Sequence, residues 1–210
     1  MIILWKGVFM SVIMAYKAKD KLYLGADNRV CTQEDIPVRD DINKIIAVNN
    51  NVAVAFAGYY KNQIIFEMVT SKFRNDTKYR VENALCSLKI IYWYYRVHRN
   101  QKYAKDALSV NSSFIVAGKN KKGEHCIYAV SYINGKLEKP TLTDMILFPP
   151  SDISEKVCYD AYIKNTNYYY SDFVQATVKD IAKVSKIVSP SGDIWTYDFA
   201  TNISDMKHFC

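Results

Sequence analysis

Ser11-Val12-Ile13-Met14-Ala15-Tyr16-Lys17 and, after a turn, Leu22-Tyr23-Leu24-Gly25-Ala26-Asp27-Asn28-Arg29 decide how this chain reads. Ser11 to Tyr16 is rich in β-favouring side chains, Lys19-Asp20-Lys21 is a polar turn, and Leu22 to Ala26 is a second short strand. The pair predicts two adjacent strands with Ser11 at the start of one and Asp27 at the end of the other.

Further along, Lys44 to Val48 and Val52 to Ala57 form two more β runs around Asn49-Asn50-Asn51, and Gly58 closes them. Asparagine tolerates positive φ, so the three asparagines predict a hairpin. Two helices follow. Ile64, Ile65, Met68 and Val69 give one apolar stripe, and Val81, Leu85, Leu88 and Tyr92 a longer one. The end of the second, Tyr92-Trp93-Tyr94-Tyr95, reads at helical spacing as core or subunit contact rather than a stacking platform.

Strands then return. Ser113 to Ala117 and His125 to Val130 flank Lys121-Lys122-Gly123, and Tyr132 to Leu137 turns at Asn134-Gly135. After Pro149-Pro150 comes a helix carrying Ile153, Val157 and Ala161, with Ser151 or Asp152 as its expected N-cap. Asp172 to Lys186 is the last helix, and Ile194 to Phe199 the closing strand. Two helical pairs separated by hairpins predict an α+β domain with two stacked antiparallel sheets and helices on both outer faces.

Bulk properties narrow the function classes. The chain has 210 residues, 50% of them apolar, which suffices for one domain with a sizeable core. No window approaches the ~18 uninterrupted apolar residues of a membrane span. Met1 to Tyr16 is apolar, but Lys6 interrupts it and no small-x-small cleavage site follows, so a signal peptide is not expected. Five cysteines, with no C-x-x-C pair, predict neither a disulfide framework nor a metal site, and fit a reducing cytoplasm. The net charge of +7 comes from scattered lysines, the pattern of a solvated basic surface more than of a nucleic-acid site. A basic nucleic-acid-binding module stays as a rival reading.

The opening segment resembles that of a proteasome β-subunit, a member of the Ntn hydrolases. Asp27 follows Ser11 at the family's spacing of sixteen, within an Ala-Asp-x-Arg-like signature. Asp41-Ile42-Asn43-Lys44-Ile45 resembles the block holding the family's catalytic lysine, with one residue inserted upstream. Val52 to Gly58 resembles the strand ending in its oxyanion glycine, and Lys44 and Gly58 are fourteen apart, as in the family. Phe114 to Gly118, with Gly123 and Tyr128, resembles the later hairpin.

The resemblance implies a four-layer α-β-β-α sandwich and a threonine-peptidase-type hydrolase with serine as nucleophile. It implies catalytic roles for Ser11, Asp27, Lys44 and Gly58, with Ser151 and Ser191 in support. Val30, Ile42, Phe56 and Tyr60 fall where the family lines its specificity pocket, so an apolar substrate side chain is expected. It further implies a peptide or unfolded-protein substrate, a homo-oligomeric ring and an ATPase partner; no cofactor is expected. Two departures stand out. Pro149-Pro150-Ser151-Asp152 replaces a Gly-Ser-Gly turn, and Val188 stands where an aspartate is expected. An inactive structural subunit of the same fold is the rival they support.

The chemistry has its own logic. A serine hydroxyl needs a base to take its proton. An α-amine, with a pKa near ~7.7–8.0, serves at neutral pH where lysine at ~10.4 does not. Ser11 supplies both groups only if it begins the chain, so residues 1–10 are expected to be absent from the active form and 11–210 to be the domain. Either Met10 is the true start and is trimmed before small Ser11, or residues 1–10 are a short propeptide. Lys6-Gly7-Val8-Phe9 is compatible with the purine run of a bacterial ribosome-binding site, which favours the first account.

Overall fold

The computed structural model describes residues 3–4, 11–32, 36–166 and 170–210. The expectations for Lys6 to Met10 lie outside these residues. In chain order the elements are β1 (Ile3–Leu4), β2 (Ile13–Lys17), β3 (Lys21–Asp27), β4 (Val30–Cys31), β5 (Pro37–Arg39), β6 (Ile45–Asn49) and β7 (Val52–Ala57). Then come α1 (Lys61–Thr70), α2 (Val81–Val97), α3 (Lys102–Ser109), β8 (Ser112–Lys119), β9 (His125–Ile133), β10 (Lys136–Leu137), β11 (Thr141–Thr143) and β12 (Met145–Phe148). The chain closes with α4 (Glu155–Asn165), α5 (Tyr170–Ala182), β13 (Gly192–Asp198) and β14 (Ile203–Phe209).

The strands form two large sheets. The first runs β1-β12-β2-β3-β13-β14 and the second β10-β9-β8-β7-β6, with β11 also paired to β9. All of these pairings are antiparallel except β1 with β12. Local signals fix the turns. Asn134 and Gly135 both take positive φ, 51° and 79°, as a two-residue primed turn requires. The Asn49 side chain accepts from Asn51 N at 2.8 Å, an Asx turn that holds the β6–β7 hairpin.

Three apolar layers make this the four-layer α-β-β-α sandwich. Ile13, Ala15, Leu24 and Trp195 of the first sheet meet Ile45, Ala53, Ala55 and Ile115 of the second in the central layer. Phe66, Leu88, Tyr92 and Tyr95 pack α1 and α2 on the outer face of the second sheet, beside Phe114 and Tyr132. Cys158, Tyr162, Val174 and Val178 pack α4 and α5 on the outer face of the first. The fit there is close: a Cβ on Gly25 of β3 would sit 2.1 Å from Val174 Cγ1. No described helix is long and apolar enough to cross a membrane.

Several expectations need correction. The α1 stripe holds in half: Ile65 and Val69 pack against the core, but Ile64 and Met68 are 50% and 72% exposed, and the buried positions are Asn62, Phe66 and Thr70. Asn62 is compatible with the core because it bonds to Tyr92 Oη, Ser112 Oγ and Tyr95 Oη. The tyrosine-rich end of α2 divides, with Tyr92 and Tyr95 in the core and Trp93 and Tyr94 exposed. The N-cap of α4 is Ser154, which accepts from Val157 N, and not Ser151 or Asp152. The α4 face is also rotated, burying Cys158 and Tyr162 rather than Val157. The last helix stops at Ala182, short of Lys186. Helix α3 and strand β14 add to the elements the sequence announced.

Candidate active site

Ser11 stands just before β2, and Asp27 ends β3, which pairs with β2 so that Ile13 faces Ala26. Val12 N donates to Asp27 Oδ1 at 3.0 Å, and Asp27 N to Val12 O at 3.2 Å, which ties the two strand ends together. Both residues belong to the first sheet. Lys44 comes from the second, immediately before β6, where its carbonyl accepts from Phe56 N at 3.0 Å. Asn43 braces this bend by accepting from Ile45 N at 2.7 Å.

The three side chains meet between the sheets. Lys44 Nζ lies 2.6 Å from Ser11 Oγ and 3.0 Å from Asp27 Oδ1. Lys44 is 5% exposed and Asp27 fully buried, so the pair is shielded from solvent and screening. Asp27 Oδ2 accepts two further backbone donors, Arg29 N at 2.9 Å and Ser189 N at 3.3 Å. A buried carboxylate with this many donors is held in one orientation. Burial draws the Lys44 ammonium below the ordinary lysine range, and the charge and hydrogen bond of Asp27 oppose that shift.

Ser11 and Lys44 open onto a cleft of about 190 Å³. Gly58 lines it with φ of +105°, and a Cβ there would sit 2.5 Å from Asn111 O, so the backbone bends where only glycine fits. Val30, Ile42, Phe56 and Tyr60 line the same cleft. Sequence reasoning missed Tyr59, Gln63 and Asp106, which line it as well. Asp106 lies on α3, a helix the sequence reading did not include although Tyr103, Ala104, Ala107 and Leu108 give it an apolar face at helical spacing. Among the described residues we find no group of His, Cys, Asp and Glu arranged to hold a metal ion.

The family described as "Proteasome subunit" has a sequence model that matches residues 10–143. The chain belongs to this proteasome subunit family. No curated protein matches it.

Against the family's pattern, the support of the site divides. Ser191 Oγ lies 2.8 Å from Ser189 Oγ, and Ser191 O accepts from Asn28 N, so this turn braces the segment after Asp27. Ser151 is not joined to the trio by a hydrogen bond: its buried Oγ has no partner among the described residues. Its neighbour Asp152 accepts from Ser185 Oγ and Lys186 N, anchoring the Pro-Pro turn to the loop after α5. Val188 is fully buried, and its carbonyl accepts from Arg29 at 3.2 Å. Arg29 finds its carboxylate in Asp40 instead, through a bidentate pair at 2.6 and 2.7 Å. Asp193 turns away to His208 Nδ1 at 3.0 Å.

Proposed function

We propose that this proteasome-family chain is an N-terminal-nucleophile hydrolase that cleaves peptide bonds, with Ser11 as nucleophile once residues 1–10 are gone. The contact of Lys44 Nζ with Ser11 Oγ and Asp27 Oδ1 carries this reading. In it, the α-amine of Ser11 takes the hydroxyl proton as Oγ attacks the scissile carbonyl. Lys44, as an ammonium, disfavours protonation of that amine and polarises Oγ, while Asp27 offsets the buried charge. The Gly58 N–H stabilises the tetrahedral oxyanion. The amine then returns its proton to the leaving nitrogen, and water resolves the acyl-enzyme.

Phe148 pairs with Ile13, so the turn that follows β12 leads back towards the Ser11 end of β2. The unpartnered Ser151 hydroxyl is thus a candidate support for the freed amine. A homo-oligomeric ring in the cytoplasm, unfolded-protein substrates and an ATPase partner belong to the same proposal.

The test pairs intact mass with turnover. The active protein is expected to begin at Ser11, and Ser11→Ala to lose at least about 10³-fold in peptide hydrolysis. Hydrolysis by the Ser11→Ala variant at the wild-type rate would remove the mechanism. Val188 in place of an acidic residue favours a second reading, a structural subunit without turnover. Wild-type protein with Ser11 exposed and no hydrolysis of any peptide would select it.

A further inference from the structure

The apolar walls of the cleft do not account for all of its lining. Tyr59, Gln63 and Asp106 add polar groups. The Tyr59 hydroxyl is buried with no hydrogen bond among the described residues. The Asp106 carboxylate, partly buried, enters no ion pair among them, although its carbonyl accepts from Ser109. Gln63 is occupied by its bond to the Asn43 carbonyl.

The two cations at the cleft are both committed elsewhere, Lys44 to Asp27 and Arg29 to Asp40. Asp106 is therefore the uncompensated charge of the cleft wall. Burial, followed by the nearby Asp106 charge, pushes the Tyr59 hydroxyl above its ordinary range, which keeps it protonated. An anion and an unused hydroxyl beside Val30, Ile42 and Phe56 make a slot for an apolar stem with a cationic tip. Arginine and lysine have that shape. The volume of about 190 Å³ is below the usual range for small-molecule sites and suits one long side chain.

We infer that Asp106, with the Tyr59 hydroxyl, selects a cationic side chain, lysine or arginine, on the residue preceding the scissile bond. This rests on the hydrolytic reading and deepens it, adding a cationic tip to the apolar substrate side chain the sequence led us to expect.

Binding to the full-length Ser11→Ala chain separates the inference from catalysis. Acetylated tripeptide amides ending in Arg, Leu or Glu compete against a dye-labelled Arg peptide, followed by anisotropy. The Arg peptide is expected to bind about tenfold tighter than the Leu peptide, and tighter still than the Glu peptide. Asp106→Asn in that background should remove most of the Arg advantage and leave Leu binding within about twofold, whereas Asp106→Glu retains the preference. Equal binding of Arg and Leu peptides, no saturable Arg binding, or equal loss of both with Asp106→Asn overturns the inference.

Turnover by the wild-type protein then assigns any failure. Asp106-dependent Arg binding without hydrolysis refutes the catalytic proposal alone. Hydrolysis whose Arg-to-Leu ratio ignores Asp106→Asn refutes the pocket assignment alone.

Discussion

Two carboxylates beside the same cleft live under opposite rules. Asp27 is fully buried and takes donors from Val12, Arg29, Lys44 and Ser189. Asp106 is partly exposed and has no ion pair among the described residues. A saturated buried group is fixed by the fold and in turn fixes its neighbours. An unsaturated group at a cleft keeps its capacity for whatever enters. On the proposed reading the contrast separates a residue that builds the site from one that reads a substrate, and it should make their substitutions diverge.

The largest divergence is expected from neutralising each in turn. Asp27→Asn strands the Lys44 ammonium between the sheets, which should lower stability by about 3–5 kcal/mol and abolish measurable hydrolysis. Asp106→Asn removes no native partner and should change stability by less than about 0.5 kcal/mol. Urea unfolding of both variants decides; equal losses would dissolve the distinction. Gly58→Ala comes next. Its φ of +105° and the 2.5 Å approach of its Cβ to Asn111 O predict a loss of about 1–3 kcal/mol, with reduced turnover in whatever protein still folds.

The pH profile sharpens the Asp27 side. In the proposed mechanism activity requires a neutral Ser11 amine and a charged Lys44, so the rate should rise as the amine deprotonates and fall as Lys44 does. Because burial lowers Lys44, the alkaline limb should lie below the ordinary lysine value of ~10.4. An alkaline limb at or above that value would mean that the ammonium is better solvated than its burial implies. On the Asp106 side, Tyr59→Phe removes a buried hydroxyl that has no partner, and stability should stay level or rise by up to about 1 kcal/mol. The smallest effect belongs to Asp40→Asn. Its partner Arg29 is largely covered but Asp40 itself is half exposed, so the loss should be under about 1 kcal/mol. Arg29 holds the Asp40 carboxyl below its ordinary range, so that contribution is present above the unfolded carboxylate pKa and fades as pH falls through the folded one.

The saturated side of the site was legible in the sequence and the unsaturated side was not, for a physical reason. Ser11, Asp27, Lys44 and Gly58 stand out through the family resemblance, whose motifs keep their order and spacing along the chain; strand boundaries alone do not single them out. Asp106 is on α3, whose apolar face, Tyr103, Ala104, Ala107 and Leu108, is marked at helical spacing, but nothing local in the sequence ties that helix to the cleft. The buried face of α1 is displaced from its apolar stripe for a related reason. Asn62 belongs inside because of three hydrogen bonds to residues distant in sequence, which no periodicity can report. Strand β14 lies at a sheet edge, mixing exposed and partly covered residues such as Ser204, Lys207 and His208, so it carries no apolar alternation. The Arg29–Asp40 pair is likewise a contact between elements, visible only once they are packed.

Between the larger side chains of the central layer runs a set of seven alanines, Ala15, Ala26, Ala53, Ala55, Ala57, Ala117 and Ala129. Ser11 and Asp27 hang from one sheet, and Lys44 enters from the other. The width of that alanine seam therefore acts as a spacer gauge for the 2.6 Å approach of Nζ to Oγ. A single methyl too many in the seam, far from any substrate, would wedge the halves apart and detune the nucleophile while the protein remained folded.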